Sequence, residues 1–314
     1  MNLHSEEAAF RFIVNEVSRK SHIRPDILEK DYYVTLLLEE LSKKRFQAHA
    51  YFKGGTALYK AIKSIRRFSE DIDLTVFVED CPTQSQAKKR LNNACLKFKL
   101  LGKGQTIESH HGSVECEYFY NSLFSFSNAD KLQRFGKVKI EATSFTVSEP
   151  TEILWIAPCL YDFASAEQQA ILSKKYGVNS FEIKTITLER IFIDKLFAAE
   201  FYYSRRSYRD VAKHVYDLAV LLNNCRIGDF LNDRIHVLKI LELERKEESY
   251  RKGGILANVK IADFLYFTEL ANDKEFKKLF SEMQSIYVFN EQDKLCFDDV
   301  LQSLAILKKE FDTF

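Results

Sequence analysis

Two short segments, Lys53-Gly54-Gly55-Thr56 and Asp71-Ile72-Asp73, constrain this chain more than any other feature. Tyr51–Lys53 reads as a short strand entering Gly54-Gly55, and a helix carrying Leu58, Ala61, Ile62 and Ile65 should follow. Ile72–Val78 reads as a second strand, enriched in Val and Ile. In an extended chain residues i and i+2 point to the same face, so Asp71 and Asp73 stand side by side while Ile72, Leu74 and Val76 turn to a core. Adjacent carboxylates repel unless positive charge lies between them. A hard divalent cation, Mg²⁺ or alternatively Mn²⁺, is the natural occupant. Such an ion can carry the phosphates of a nucleotide and favour an in-line phosphoryl or nucleotidyl displacement. Glycine lets backbone approach a ligand closely, amides at a helix start can hold a phosphate, and Thr56 adds a hydroxyl. Alone, Gly-Gly is an ordinary turn and Asp-x-Asp a solvated strand end. The succession strand, Gly-Gly, helix, Asp-x-Asp, strand is much more specific.

Glu141 is the best candidate for a third metal carboxylate, because Lys137-Val-Lys-Ile-Glu-Ala-Thr reads as a strand whose Ile140 and Ala142 face away from it. Its bland alternative is an exposed Glu on an amphipathic strand. Thr187 can cap a helix through about Ser204. At 100° per residue Leu188, Phe192, Ala199 and Tyr202 form one face, with Lys195 in its middle and Glu189, Arg190, Asp194 and Glu200 away from it. An inward lysine requires a charged partner or a phosphate unless it snorkels outward. In the next helix, about 207–223, Asp210 and Asp217 share one flank, so that Asp217 can pair with Lys195 or orient a nucleophile. His214 reads as a satisfied boundary histidine. Arg205, Arg206, Arg209 and Lys213 are candidate RNA or phosphate contacts, or a solvated face. Lys60, Lys63, Arg66 and Arg67, then Lys88, Lys89 and Arg90, add basic clusters compatible with a polyanion.

The remainder is more ordinary. Ser5 can cap an opening helix with Phe10, Ile13, Val14 and Val17 as its apolar stripe, and Pro25 suits the first turn of a second helix running to about Lys44. Residues 84–100 read as a basic helix, 105–120 as a hairpin around His111-Gly112, and 138–147 and 153–156 as strands. From about 181 onward the period is helical. The expectation is an α+β chain, with a mixed α/β domain over 1–170 and a helical domain over 171–314. Lys246, Glu247 and Glu248 suggest a solvated helix. The 314 residues carry 46 basic and 45 acidic side chains, a balance that does not advertise nucleic-acid binding. The start lacks the basic-then-apolar pattern of a signal peptide, and no apolar run is long enough to span a membrane, so a cytoplasmic protein is expected. No two of the six cysteines lie closer than 14 positions, which removes zinc and redox spacings, and neither HExxH nor a Cys/His cluster occurs.

Lys53-Gly-Gly-Thr-Ala-Leu-Tyr-Lys through Arg67-Phe-Ser-Glu-Asp71-Ile-Asp73-Leu resembles the first motif of the AbiEii/AbiGii toxin nucleotidyltransferases, a branch of the polymerase-β-like superfamily. Ile27-Leu-Glu-Lys-Asp-Tyr-Tyr-Val-Thr is similar to the helix that precedes it in many members. Val138-Lys-Ile-Glu141, Lys195-Leu-x-Ala and His214-x-Tyr-Asp217-Leu are similar to the later motifs. The resemblance covers about 25–222. It implies a polymerase-β-like nucleotidyltransferase core, a mixed sheet flanked by helices, followed by a helical domain that completes the active-site cleft. It implies a catalytic set of Asp71, Asp73, Lys195 and Asp217, with Asp71, Asp73 and Glu141 on Mg²⁺ and Gly54, Gly55, Thr56, Arg67 and Ser69 at the nucleoside triphosphate. It also implies a toxin of a toxin–antitoxin or phage-defence system in a bacterial or archaeal cytoplasm. The expected partners are an NTP, an RNA acceptor, above all the 3′ end of tRNA, and a winged-helix antitoxin, with no membrane. Where superfamily members often carry Gly-Ser, this chain has Gly55-Thr56 and a longer gap to the first Asp. A protein or small-molecule hydroxyl as acceptor, and a non-catalytic nucleotide-binding module, are the competing expectations.

Overall fold

A computed structural model describes residues 2–43, 49–109, 112–124, 136–251 and 254–314. The chain divides into two compact units, one of Met1–Ala61, Phe68–Ser144 and Thr151–Thr185, the other of Ile62–Arg67, Phe145–Pro150 and Ile186–Phe314.

The first unit opens with α1 (Glu7–Ser21) and α2 (Pro25–Ser42). Phe10, Ile13, Val14 and Val17 are the buried stripe of α1, as the period requires. Ser5 does not cap it: Leu3–Ser5 forms a 3₁₀ turn and the helix starts after Glu6 without a side-chain cap. Then come β1 (Ala50–Lys53), α3 (Gly54–Lys60), β2 (Ile72–Val76), α4 (Gln84–Leu96), β3 (Gly102–Ser109), β4 (Ser113–Phe119), β5 (Lys137–Thr143), β6 (Thr151–Ile156), α5 (Cys159–Asp162), α6 (Ala166–Tyr176) and β7 (Phe181–Ile186). The seven strands form one mixed sheet in the order β3-β4-β5-β2-β1-β7-β6. The β1–β2, β3–β4 and β4–β5 pairs are antiparallel, and β2–β5 and β1–β7 parallel. The tip of the β3–β4 hairpin, with His111, and Lys44 lie outside the described residues.

Residues 181–186, expected to have helical period, are a strand. Phe-Glu-Ile-Lys-Thr-Ile has period 2 and β-branched side chains, and Thr185 pairs with Phe52 of β1. The sheet unit therefore runs to Thr185, beyond residue 170. One face of the sheet is apolar: Ile72, Leu74 and Val76, Val138, Ile140 and Ala142, and Val114, Cys116 and Tyr118 are all buried. Helix α4 packs against β2, β4 and β5 and buries Leu91, Ala94 and Cys95.

Helix α2 is buried almost all round, including Asp26, Glu29, Lys30 and Asp31. Buried charges require partners, and each has one. Asp26 accepts from Arg24. Glu29 accepts from the Leu123 amide at 2.7 Å. The Lys30 amino group lies 3.6 Å from Glu70. Asp31 takes Lys60 at 2.6 Å, the Tyr59 hydroxyl at 2.8 Å and the Cys159 amide at 2.6 Å. One carboxylate thus joins α2 to the end of α3 and the start of α5.

The second unit contains α7 (Leu188–Tyr203), α8 (Tyr208–Leu222), α9 (Cys225–Asn232), α10 (Arg234–Tyr250), α11 (Tyr266–Glu269), α12 (Lys274–Tyr287) and α13 (Phe297–Phe311). Helix α8 packs on α7, α12 and α13. The segment 62–67 joins this unit through an Arg67–Val288 bridge and a 3.0 Å bond from the Phe289 amide to the Arg66 carbonyl. Helix α7 has no polar outer face: Glu189, Arg190 and Glu200 are buried along with Lys195. Because α7 packs on α8, α9, α10 and α11, its charges are met by protein, Glu189 by Arg226 and Glu200 by the Tyr266 amide. Glu247 and Glu248, expected on a solvated helix, are buried too. Arg190 donates to Glu247 at 2.7 Å, and Arg251 reaches Glu248 at 2.9 Å. Lys246 alone of that trio is exposed.

The Asp31–Lys60 pair yields a stability prediction. Asp31→Ala leaves a buried ammonium unpaired and should cost about 3–5 kcal/mol in urea unfolding followed by circular dichroism. Asp31→Ala combined with Lys60→Met should recover a good part of that loss. A single-variant loss under about 1 kcal/mol, typical of an exposed pair, would remove Asp31 as the anchor of α3.

Candidate active site

The geometry begins where β1 hands over to α3. In the β1–β2 register Lys53 lies opposite Asp73. Gly54 follows with φ +78°, a left-handed value that favours glycine. A Cβ on Gly54 would stand 2.2 Å from Asp73 Oδ2. The glycine therefore gives the Asp73 carboxylate its room against the backbone. Thr56 is fully buried, and its hydroxyl donates to the Asp71 carbonyl, tying the first turn of α3 to the entry of β2. Ser69 is half-buried in the segment before β2.

On the face of the sheet opposite the apolar core, Asp73 lies beside Glu141 in the β2–β5 register, and Glu141 beside Glu115 in the β5–β4 register. Asp71, Asp73, Glu141 and Glu115 are all half-buried or partly exposed there. Lys139 extends among them, its Nζ 3.9 Å from Asp71, 3.8 Å from Glu115 and 3.7 Å from Glu141. Partial burial pushes the Asp71 carboxyl up to about 6, with Glu70 and Asp73 adding to the shift and Lys30 and Lys139 opposing it. Burial pulls the Lys139 ammonium down, but Asp71, Glu141, Glu115 and Asp73 outweigh it and hold it above the usual lysine range. The donors are hard oxygens, mutually repelling, and they have already drawn in a cation. That chemistry fits a hard divalent metal such as Mg²⁺ or Mn²⁺.

A second set lies within the helical unit. Asp217 is fully buried and accepts from Arg67 Nε at 2.6 Å and Nη2 at 2.5 Å, with Lys195 Nζ at 3.0 Å. Burial raises the Asp217 carboxyl, but Arg67 and Lys195 overcome it and hold the group below the usual carboxylate range. Arg67 itself is buried, its guanidinium forked on this carboxylate. His214 stacks on Tyr202 with ring centroids 5.4 Å apart. Burial, then the positive charge of Lys195, Arg67, Lys213 and Arg251, keeps its imidazole neutral, far below the usual histidine range. Arg205, Arg206 and Arg209 are exposed about the α7–α8 turn, whereas Lys213 is half-buried over the Tyr287 ring. Arg205 lies over Phe201 and donates to the Phe201 carbonyl at 2.9 Å.

The structure thus gathers Gly54, Thr56, Asp71, Asp73 and Glu141 in the sheet unit, and Arg67, Lys195 and Asp217 in the helical unit. Sequence reasoning missed Glu115, Lys139, Lys30 and Glu70. The signal for Glu115 was present in the alternation of Ser113-Val-Glu-Cys-Glu-Tyr-Phe, whose Val114, Cys116 and Tyr118 are buried. Another trio, Asp194, Glu244 and Glu247, brings its carboxylate oxygens within 4.8 Å of one another. The Arg190 guanidinium pairs with all three and supplies positive charge there.

The two sets should respond oppositely to neutralisation. The raised Asp71 carboxyl contributes stability that is present below its ordinary value of 3.8 and lost as the pH rises through about 6. Asp71→Asn in chelator at pH 7.5 should therefore raise the thermal unfolding midpoint. Asp217→Ala strands two buried cations and should cost about 3–5 kcal/mol. A lowered midpoint for Asp71→Asn, or an unchanged one for Asp217→Ala, would contradict these assignments.

No helix among the described residues is long and apolar enough to cross a membrane. No curated protein and no solved structure matches the chain. A family model described as nucleotidyl transferase AbiEii toxin, type IV toxin–antitoxin system, matches residues 36–313. That span takes in the glycine pair, all four carboxylates of the sheet face, and both Lys195 and Asp217. The chain belongs to the AbiEii family of toxin nucleotidyltransferases.

Proposed function

We propose that this protein is a metal-dependent toxin that transfers a nucleoside monophosphate from an NTP to RNA, at the 3′ end of tRNA. The observation that carries this reading is the carboxylate face, with Asp73 and Glu141 paired on neighbouring strands and Asp71 just before β2, beyond the Gly54 turn. These three carboxylates would hold Mg²⁺ or Mn²⁺, which would neutralise charge on the triphosphate. The nucleotide approaches at the Gly54-Gly55 turn, where glycine backbone permits close contact, with the half-buried Ser69 beside it and the buried Thr56 fixing the turn through the Asp71 carbonyl. Lys195 offers its ammonium to phosphate. Asp217 acts as a positioning residue, fixing Lys195 and Arg67 without touching substrate. In the transfer, the acceptor hydroxyl oxygen bonds the α-phosphorus as the bond to the bridging oxygen breaks. Pyrophosphate leaves, and the hydroxyl proton is released to water. The exposed Arg205, Arg206 and Arg209 supply contacts to the RNA backbone. A toxin of this kind works in the cytoplasm of a bacterium or archaeon, is restrained by a winged-helix antitoxin and serves phage defence.

The test incubates the protein with Mg²⁺, total tRNA and each α-labelled NTP in turn, followed by a denaturing gel. Label should enter the RNA band for at least one nucleotide, and Asp71→Ala should abolish it. Label confined to a protein band would move the acceptor to a polypeptide hydroxyl. Undiminished labelling by Asp71→Ala would refute the carboxylate assignment.

A further inference from the structure

Lys139 stands where the carboxylate face most demands positive charge. Its direct cross-strand neighbour on β4 is Glu117, but Glu117 already accepts from Lys137. Lys139 leans instead among Asp71, Glu115 and Glu141, at 3.7 to 3.9 Å from each. It is shared among three acids and committed to none. All four of these side chains are 34 to 36% exposed, so the ammonium can move without opening the core. Two of its three partners, Asp71 and Glu141, are the carboxylates assigned to the metal. A divalent ion on them would repel the ammonium directly. The third partner, Glu115, is placed differently. It projects from β4, which β5 separates from β2. Two strand spacings, roughly 9–10 Å, therefore lie between its backbone and that of Asp73.

We propose that Lys139 is a built-in competitor of the divalent cation, and that Glu115 is the seat to which its ammonium withdraws when the cation binds. The inference rests on Asp71, Asp73 and Glu141 holding the metal. In the metal-free protein Lys139 keeps the repelling carboxylates together. In the loaded protein it is paired with Glu115 alone. Cation occupancy is then an exchange of one positive charge for another on the same carboxylates. Glu115 assists by stabilising the displaced lysine, without ligating the metal.

The test is a double-mutant cycle on the full-length protein, read by isothermal titration of Mn²⁺ and by the electron paramagnetic resonance of the bound ion, with no nucleotide or RNA present. Lys139→Met, and independently Lys139→Gln, should bind Mn²⁺ roughly tenfold more tightly than wild type. Glu115→Gln should bind several-fold more weakly, because the ammonium has lost its alternative seat. In the Lys139→Met background Glu115→Gln should have no further effect. Unchanged or weakened binding in both Lys139 variants would overturn the exchange. An equal loss from Glu115→Gln in both backgrounds would make Glu115 a metal ligand and overturn its role as a seat. Asp73→Asn separates the two levels: if it leaves wild-type Mn²⁺ binding intact, the metal assignment itself fails. If it abolishes binding while the Lys139 variants bind as wild type, only the exchange fails.

Discussion

Four carboxylates cannot share one face of three neighbouring strands unless positive charge is supplied among them, and the sheet unit is organised around that requirement. The other face of the same strands is wholly apolar and closed by α4. The alternation of β2, β5 and β4 therefore leaves the acids no direction but outward, onto a common surface. There Lys139 stands among Asp71, Glu141 and Glu115, and Lys30 approaches from α2 through Glu70. Burial first, then the charge of Glu70 and to a lesser degree Asp73, raises the Asp71 carboxyl against the pull of Lys30 and Lys139. A protein selected only for stability would neutralise such a face. A face kept under electrostatic tension favours a cation, because neutralisation would relieve the penalty of the free state.

Burial of compensated charge recurs at the supports of both units. Asp31 gathers three donors from α3 and α5, Asp217 joins α7 and α8 to the segment 62–67, and Arg190 binds α7 to α10. Each pair loses hydration on folding, and its attraction offsets that loss only in good geometry. What such pairs add is direction. A lysine over an apolar surface can adopt many rotamers, whereas Lys195 against a carboxylate already forked by Arg67 has a defined position.

Local pattern was legible in the sequence wherever one rule governed a segment. The stripe of α1, the strand around Asp73 and the paired Gly-Gly and Asp-x-Asp segments were read from period and residue type. So was the inward placing of Lys195, whose partner Asp217 is 22 positions away on the next helix. The remainder depended on partners distant in the chain. Arg67 and Asp217 are separated by 150 positions, and nothing near Arg67 announces that it is buried. The helical wheel set Glu189, Arg190, Asp194 and Glu200 apart from the apolar face, but α7 has no solvent face, and Glu189, Arg190 and Glu200 are buried against other partners. Glu247 and Glu248 look solvated until Arg190 and Arg251 are brought beside them. The stretch 181–186 was lost to the helical period that follows it, although its own alternation has period 2.

Gly54 shows how a functional signature can have a structural cause. The sequence suggests that the glycine is there for a ligand, since backbone without Cβ can approach phosphate. The geometry supplies a prior reason. With φ at +78°, and with Asp73 Oδ2 2.2 Å from where a Cβ would stand, any other residue would distort the turn or displace the carboxylate. The glycine and the second aspartate of Asp-x-Asp are thus one packing unit, set by the Lys53–Asp73 register across β1 and β2. Their joint presence is more specific than either alone because the first residue makes space for the second. A substitution at Gly54 would act on the carboxylate face before any nucleotide arrived.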